Sequence, residues 1–481
     1  MNISRFKNNH IHGPGGIAQL LPIAFPIIVS QASDTAMMFV DRLYLAHVSD
    51  AHMAAAMTGG LTAFTSLTFF VGIINYTNAL VAQHFGAHRK NQCPSVVIQG
   101  LAVVGLSLPV IVLMVLFGPH IFELFGHAPE QIPLEQRYFR ILMGGSVILM
   151  ARLAFSGFFA GIGRTRVVMV ANLVAMCINI VVNYVLIFGK LGFPPMNITG
   201  AAIGTVFSRF CGLAILVAVY LSRKYRLEFG THLARSFNPA VFSKLIRFGL
   251  PTGIELCLNV TAFNLVVQSF HSYGSKVAAA VTITFNWDMV AFVPMLGFNI
   301  ATMSLVGRFM GGEDSAHAER SAYSGLKLAY IYAGVLMCLF IFAPAFLAKL
   351  FIPAEQSMGS EETILPLARN MIRLAAIYTL ADATYLTIGG ALRGAGDTKW
   401  VMAASVLLHW FMVAVMMISI HVLTVHPLHA WILFVGCVAL FGSVMCTRFR
   451  RGVWKKIRVV EAPVGGSDTV PPDGTIEGHK P

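Results

Sequence analysis

The sequence predicts an all-α integral membrane protein, with twelve transmembrane helices in two parallel six-helix lobes related by pseudo-two-fold symmetry. Three observations lead there. Hydrophobic residues fill 56% of the 481 positions and charged residues only 11%, where a soluble chain carries about a quarter. Apolar runs of about 20 residues, long enough to cross a bilayer as helices, recur along nearly the whole chain. The two halves also repeat one another in the same order.

The repeat is visible residue by residue. ALVAQHFGA (79–87) matches SLVGRFMGG (304–312) at an offset of 225, with Gly72 and Gly297 eight residues ahead of Leu80 and Leu305. FPIIVSQASD (25–34) matches LPTGIELCLN (250–259) at the same offset of 225, pairing Pro26 with Pro251 and Asp34 with Asn259. GFFAGIGRTRVVM (157–169) aligns with GALRGAGDTKWVM (390–402), and each carries two glycines four apart, Gly157/Gly161 and Gly390/Gly394. A same-sense duplication in so apolar a chain implies two bundles around a shared midplane cavity, the architecture of a transporter. An odd number of spans per repeat would invert the second copy, so six per half are expected.

The helices are predicted at 16–44, 53–83, 95–118, 136–160, 167–188, 200–222, 245–271, 278–307, 320–350, 365–391, 400–424 and 429–447. Grouped, these give a cytoplasmic N-terminal tail (1–15), an N-lobe (16–222), a basic cytoplasmic linker (223–243), a C-lobe (244–450) and a Pro/Gly-rich, disordered cytoplasmic tail (451–481). The net charge of +13 invites a nucleic-acid reading, but the basic residues gather in alternate connections. Arg89/Lys90, Arg164/Arg166, Arg223/Lys224 and the cluster from Arg448 to Arg458 hold them, while 119–134 and 425–428 hold almost none. That is the positive-inside pattern, with both termini cytoplasmic, and it excludes a nucleic-acid binder. The N-terminus has no signal-peptide core, so the first apolar segment is expected to stay as a helix. The seven cysteines form no CxxC pair, and no metal site is indicated. His84 and His88 have metal-ligand spacing but are read as part of a solvated basic loop. GAGDTK (394–399) lacks phosphate-loop spacing, and its counterpart GIGRTR (161–166) marks it as a repeated helix connection.

An ionisable group inside a membrane helix costs a few kcal/mol or more, so each one asks for a reason. Five acids stand out: Asp34 and Asp41 in the first helix, Glu255 in the seventh, Asp288 in the eighth and Asp382 in the tenth. Asp34 and Asp41 lie two turns apart on one helix face, and two carboxylates within reach of each other would share a proton. Tyr378, one turn before Asp382, is placed to hydrogen-bond it. Asn179 and Asn183, also one turn apart, offer neutral oxygens to an ion or a carboxylic acid, or else glue helices together. Arg42, beside Asp41, is a weaker partner because adjacent helical residues point apart. Asp288 could lie near the outer mouth.

Several segments together resemble the multidrug and toxic compound extrusion (MATE) family: VDRLYLAHVSDAHMAAA (40–56), GLTAFTSLTFFVGIINYTNALVAQHFGA (60–87), INIVVNYVLIFG (178–189), TGAAIGTVFSR (199–209) and YTLADATYLTIGGALRGAGDTKW (378–400). The resemblance spans residues 16–450. It implies twelve helices in two lobes that open a central cavity alternately to either side, exporting organic cations in exchange for Na⁺ or H⁺. It further implies an N-lobe cation site at Asp41, Asn179, Asn183 and Thr205, and a C-lobe site at Tyr378 and Asp382. Asn183 stands where some members carry Asp, and Asp34 stands where a neutral residue is common. The helix 7 acid of several members aligns with Asn259, with Glu255 one turn earlier as a substitute.

The expected function is multidrug efflux by cation-coupled antiport of hydrophobic or cationic organic compounds. H⁺ is favoured over Na⁺ because carboxylates are expected in pairs (Asp34 with Asp41, Asp382 with Glu255) and two family carboxylates are replaced by Asn. No cofactor beyond the coupling ion is expected. The partners are small organic cations and the lipid bilayer, and the protein is expected to act as a monomer in a bacterial inner membrane. Two alternatives stand beside this: a flippase for a lipid-linked precursor, which would use Arg152 and Arg209 in the cavity, and, more remotely, a membrane-embedded enzyme.

Overall fold

The computed structural model describes residues 12–124, 127, 129–234, 236–351 and 364–461, and among them every regular element is helical. Eleven helices are long and apolar enough to cross a membrane, and a bent pair supplies the twelfth span. In the first half these are α1 (Ile17–Ala46), α2 (Asp50–Gly86), α3 (Lys90–Phe117), α4 (Ile132–Gly144 and Ser146–Gly161), α5 (Thr165–Phe188) and α6 (Asn197–Tyr220). In the second they are α7 (Pro239–His271), α8 (Ser275–Gly311), α9 (Ser315–Phe342), α10 (Ile364–Ala395), α11 (Thr398–Val422) and α12 (Pro427–Arg450). The protein is a multi-span membrane protein.

Local chemistry sets the ends. Ser49 caps α2 by accepting from the His52 N–H, Asn238 caps α7 through the N–H groups of Ala240 and Val241, and Asp314 caps α9 through His317. Gly189, at φ 65°, closes α5 in the left-handed conformation that a side chain would resist. Several elements differ from their predicted forms. The second span breaks at Tyr76, and the fourth starts earlier and bends by 43° between Gly144 and Ser146. The stretch expected as one helix over 320–350 ends at Phe342, because Pro344 has no N–H to continue it and instead starts a short helix, Pro344–Lys349. The last turn of α11, Ile418–Val422, widens into a π-helix. Residues 239–243, expected in the linker, form the first turn of α7.

Two apolar cores form, one in each lobe, and each borrows the first turns of the other lobe's leading helix. Leu20, Ile23, Ala24 and Ile27 of α1 pack into the C-lobe core, while Val241 and Leu245 of α7 pack into the N-lobe core. Leu20 and Leu245 are equivalent under the repeat offset of 225. Pro26 and Pro251, also equivalent, lie inside their helices close to these crossings.

The same offset generates the contacts between lobes. A Cβ on Gly72 of α2 would fall 2.6 Å from the Cα of Gly253 in α7; the equivalent pair is Gly297 of α8 and Ile28 of α1, where a Cβ would fall 2.5 Å from Ile28 Cγ1. Further down, α2 and α8 cross each other directly. A Cβ on Gly86 would lie 1.7 Å from the Arg308 carbonyl oxygen, and one on Gly311 would lie 2.0 Å from that of Gln83. Adding 225 to 83 and 86 gives 308 and 311, so the two contacts are copies of one another and the pseudo-two-fold axis runs through this crossing. Within each lobe the glycine pairs do equivalent work: Gly157 and Gly161 of α4 meet Thr77, Asn78 and Val81 of α2, as Gly390 and Gly394 of α10 meet Asn299 and Met303 of α8.

Among the described residues, the hydrogen bonds between lobes lie toward the end of the bundle that carries the termini. Gln83 donates to the Gly394 carbonyl (2.7 Å), Asn78 to Ile300 (3.2 Å), Ser304 to Ala160 (2.7 Å) and Ser324 to Gly15 (2.8 Å). The segment after α12, expected as disordered tail from 451, crosses this closed end. Trp454 is buried against Phe449, Val459 and Val460 enter the N-lobe core, Lys455 pairs with Glu319 in the C-lobe, and Arg89 of the N-lobe pairs with Glu461. A few apolar residues, Trp454, Ile457, Val459 and Val460, hold it down, where composition alone points to a tail. The tail residues 462–481, and residues 1–11 of the N-terminal tail, lie outside the described residues. His84, read as solvated, is buried in the last turns of α2 with neither ring nitrogen partnered.

The α2–α8 crossing tolerates no side chain. Gly86→Ala and Gly311→Ala are expected to lower stability by about 1–3 kcal/mol each through forced separation of the backbones, read as a lower melting temperature of the purified protein. Gly105→Ala, where a Cβ meets nothing within 4 Å, is the control and should not destabilise.

Candidate functional site

Two polar centres lie inside the lobes. In the N-lobe, Asp41 of α1 is buried (6% exposed) and accepts hydrogen bonds from Asn183 of α5 and from Thr205 of α6, the latter at 3.0 Å. The alignment of these three helices follows from small residues: Gly204 lets the Asn183 amide lie against α6, where a Cβ would collide with its Oδ1. Asn179, one turn from Asn183, donates weakly to Ser208 at 3.5 Å. The side-chain oxygens of Asn179 and Asn183 are both buried without a donor. A carboxylate, a hydroxyl and two orphaned amide oxygens form a donor-poor, acceptor-rich cluster, a set that suits a small cation. Arg42 acts on Asp41 only through space.

Asp34 belongs to a different arrangement. The expected Asp34–Asp41 carboxylate pair does not form. Seven residues along a helix amount to about 10 Å of rise, so a shared face does not put the groups within reach. Instead Arg152 of α4 donates to Asp34 at 3.3 and 3.4 Å and to Asn172 at 2.6 Å, and Asn172 bonds Ser30. Asp34 is therefore a salt-bridge partner.

The C-lobe also departs from expectation. Glu255 does not join Asp382; it forms a buried ion pair with Arg393, at 2.5 and 3.2 Å. Arg393 is eleven residues beyond Asp382 on α10, about 16 Å along the axis. Asn259 likewise turns away and donates to Ser405 of α11 at 2.7 Å, where the Tyr385 hydroxyl also bonds. Asp288 moves the other way. Its carboxyl and that of Asp382 act on each other, and it approaches the Tyr378 hydroxyl without the alignment of a formed hydrogen bond. Tyr378 is buried and held edge-on by Phe434, while Asp288 and Asp382 are half-buried. So the tyrosine expected to serve Asp382 faces Asp288 as well. Neither acid has an ion pair among the described residues. The missed signals were Arg393, which reads as part of a basic helix connection, and Ser405 and Tyr385, which look like ordinary helix polar residues.

Two repeated lobes, a shared seam and an acidic centre in each define a two-lobed membrane transporter, not an enzyme. A profile of the MatE family matches residues 26–185 and 251–423, and the chain belongs to that family. Similar proteins include the probable multidrug resistance protein NorM of Mannheimia succiniciproducens, 24% identical over 89% of this chain and 92% of the relative. The NorM of Photorhabdus laumondii is 27% identical over 82% of this chain and 85% of its own length. Among solved structures, a transporter of the MOP superfamily from Pyrococcus furiosus, described as having a binding pocket of reverse polarity, superposes with a TM-score of 0.80 at 20% identity. It covers 92% of this chain and 97% of the other. A multidrug resistance MATE transporter in an outward-facing conformation gives 0.79 at 19% identity, covering 92% of this chain and 97% of that one. At these identities the structures establish the shared fold.

The Glu255–Arg393 pair has a structural test. Arg393→Gln leaves a buried carboxylate uncompensated and should cost about 3–5 kcal/mol, seen as a large drop in melting temperature. The double variant Glu255→Gln/Arg393→Gln should recover most of it.

Proposed function

We propose that this protein exports hydrophobic, often cationic organic compounds in exchange for inward-moving H⁺. The observation that carries the reading is the Asp288–Asp382 pair, two C-lobe carboxyls near enough for one charge to act on the other and without an ion-pair partner among the described residues. A proton shared between them removes their repulsion, and a proton lost restores an attraction for a substrate cation. Proton and substrate then compete for the same negative charge, which is the elementary requirement of antiport. Each ligand shifts the balance between conformations only by its differential affinity for them. Asp41, with the open oxygens of Asn179 and Asn183 and the Thr205 hydroxyl, is the second candidate cation site.

The setting is a bacterial inner membrane with both termini in the cytoplasm, an orientation supported by the basic residues at the terminal end. The lobes then meet on the cytoplasmic side and the arrangement is outward-facing. Both halves of the machinery are in one chain, which supports a monomer needing no cofactor beyond the coupling ion. The names of the relatives support multidrug substrates.

A second reading draws on the N-lobe. Arg209 has no acceptor among the described residues and senses Arg152, Asp34, Tyr138 and Asp41 only through space. An uncommitted guanidinium there suits an anionic headgroup, as flipping of a lipid-linked precursor would need.

In everted vesicles free of Na⁺, an imposed pH step should drive uptake of a fluorescent organic cation. Asp382→Asn and Asp288→Asn should each reduce it at least tenfold, and Asp34→Asn should act mainly through stability. Uptake that depends strictly on Na⁺ would overturn the H⁺ assignment. Competition by an anionic lipid-linked sugar phosphate, but not by cations, would favour the second reading.

A further inference from the structure

We propose that the connection between the lobes binds the phosphate of an anionic phospholipid, with the flanking leucines seated in the same leaflet. α6 ends at Tyr220 and α7 begins at Pro239, so this connection lies at the bilayer face on the terminal side. It is a built structure. A short helix, Arg223–Phe229, buries Tyr225 and Phe229 against Phe158 and Phe159 of α4. Gly230, at φ 68°, ends it, and Thr231 ties the chain back by donating to the Tyr220 carbonyl at 3.0 Å.

That anchoring points the other face outward. Arg223, Arg226, Leu227 and His232 line an open pocket of about 400 Å³. Both arginines are exposed, and neither side chain has an acceptor among the described residues. The neighbouring acid, Glu228, is already engaged by Lys90 at 3.4 Å. His232 adds a buried, unpartnered Nδ1. The pocket therefore presents positive charge and hydrogen-bonding capacity with no internal counter-ion, which matches a phosphate monoanion.

Charge alone would admit any soluble anion; the apolar neighbours decide between them. Leu227, next to Arg226, is 77% exposed, and further along the same connection Leu233 is 75% and Phe237 54% exposed. In water such a cluster would be unfavourable, but at the level of the headgroups these side chains enter the acyl boundary while the arginines remain at the phosphates. A headgroup with its acyl chains satisfies both halves of the surface. A free phosphate satisfies only one. The attachment also has mechanical sense, because the connection is where the polypeptide passes from one lobe to the other.

The test uses the full chain purified in detergent and does not depend on transport. Native mass spectrometry and thermal melting are measured with phosphatidylglycerol, with phosphatidylcholine and with inorganic phosphate. Phosphatidylglycerol should be retained and raise the melting temperature, and the other two should do neither. Arg223→Gln/Arg226→Gln should weaken phosphatidylglycerol retention roughly tenfold or more, as expected for two lost interfacial charges. Arg223→Lys/Arg226→Lys should keep most of it, and Arg166→Gln, an exposed arginine elsewhere on the same side, should keep all of it. Unchanged melting of the double Gln variant in phosphatidylcholine confirms that it folds. Equal retention by the double Gln variant overturns the proposal. So does protection by inorganic phosphate alone, which would mean a soluble-anion site, or equal retention of phosphatidylcholine, which would mean apolar contact only.

Discussion

The backbone-to-backbone crossing of α2 and α8 is the constraint on which the rest of the molecule depends. Gly86 and Gly311 let each helix press against a carbonyl of the other, Arg308 and Gln83, at a separation that excludes even a methyl group. Because both pairs are related by the repeat, this crossing lies on the symmetry axis and fixes how the lobes face one another. Membrane helices gain little from burying apolar surface against each other, since lipid is equally apolar. Close approach and hydrogen bonds must hold such a seam. The bonds present, Gln83 to Gly394 and Asn78 to Ile300 among them, each run from one side chain to a backbone oxygen. Contacts of that kind can be exchanged for water without leaving a charge stranded, which suits a seam that opens and closes.

The acids sort themselves by what compensates them. Glu255 has Arg393, Asp34 has Arg152, and Asp397 at the end of α10 has Arg448. These pairs are complete and hold helices together. Asp41 is compensated by neutral donors, and among the described residues Asp288 and Asp382 have no ion pair, only each other's charge and a tyrosine nearby. In a low-dielectric interior an unpaired charge is costly. The acids without a cationic partner are therefore those with most to gain from a mobile cation. Counting acids per helix overstates the functional set; subtracting those with an arginine across the interface reduces it to three.

Much of the architecture was legible because duplication leaves a signal that survives substitution. The offset of 225 located the glycines, the helix prolines and the leading helices, and it turned out to generate the contacts as well. The N-lobe grouping of Asp41, Asn179, Asn183 and Thr205 came from the family resemblance; spacing alone placed only Asn179 and Asn183 on one helix face. Partners across helices were not legible. Spacing reports which side of a helix a residue is on, but not what faces it, so Asp34 and Asp41 read as a pair although they are two turns apart along the axis. The same limit hid Arg393 from Glu255 and brought Asp288 to Asp382 unannounced. The segment after α12 was misread for another reason: Trp454, Ile457, Val459 and Val460 are too few to outweigh a polar composition, yet enough to fill a groove already formed.

The two leading helices connect the charges to the seam. The first turns of α1 are packed in the C-lobe core, and its second half carries Asp34 and Asp41 into the N-lobe. α7 does the reverse, starting in the N-lobe core and carrying Glu255 into its own lobe. If the lobes part at the terminal end, Leu20 and Leu245 must leave the cores they now occupy, or their helices must flex where Pro26 and Pro251 interrupt the backbone ladder. Either way the strain falls on the helix that also bears Asp41. In the proposed reading, a cation arriving at Asp41 would change its bonds to α5 and α6 and so how firmly the far half of α1 is held. The side chain that would meet the ion and the segment that closes the seam lie on one continuous helix, so that reading requires no separate relay between them.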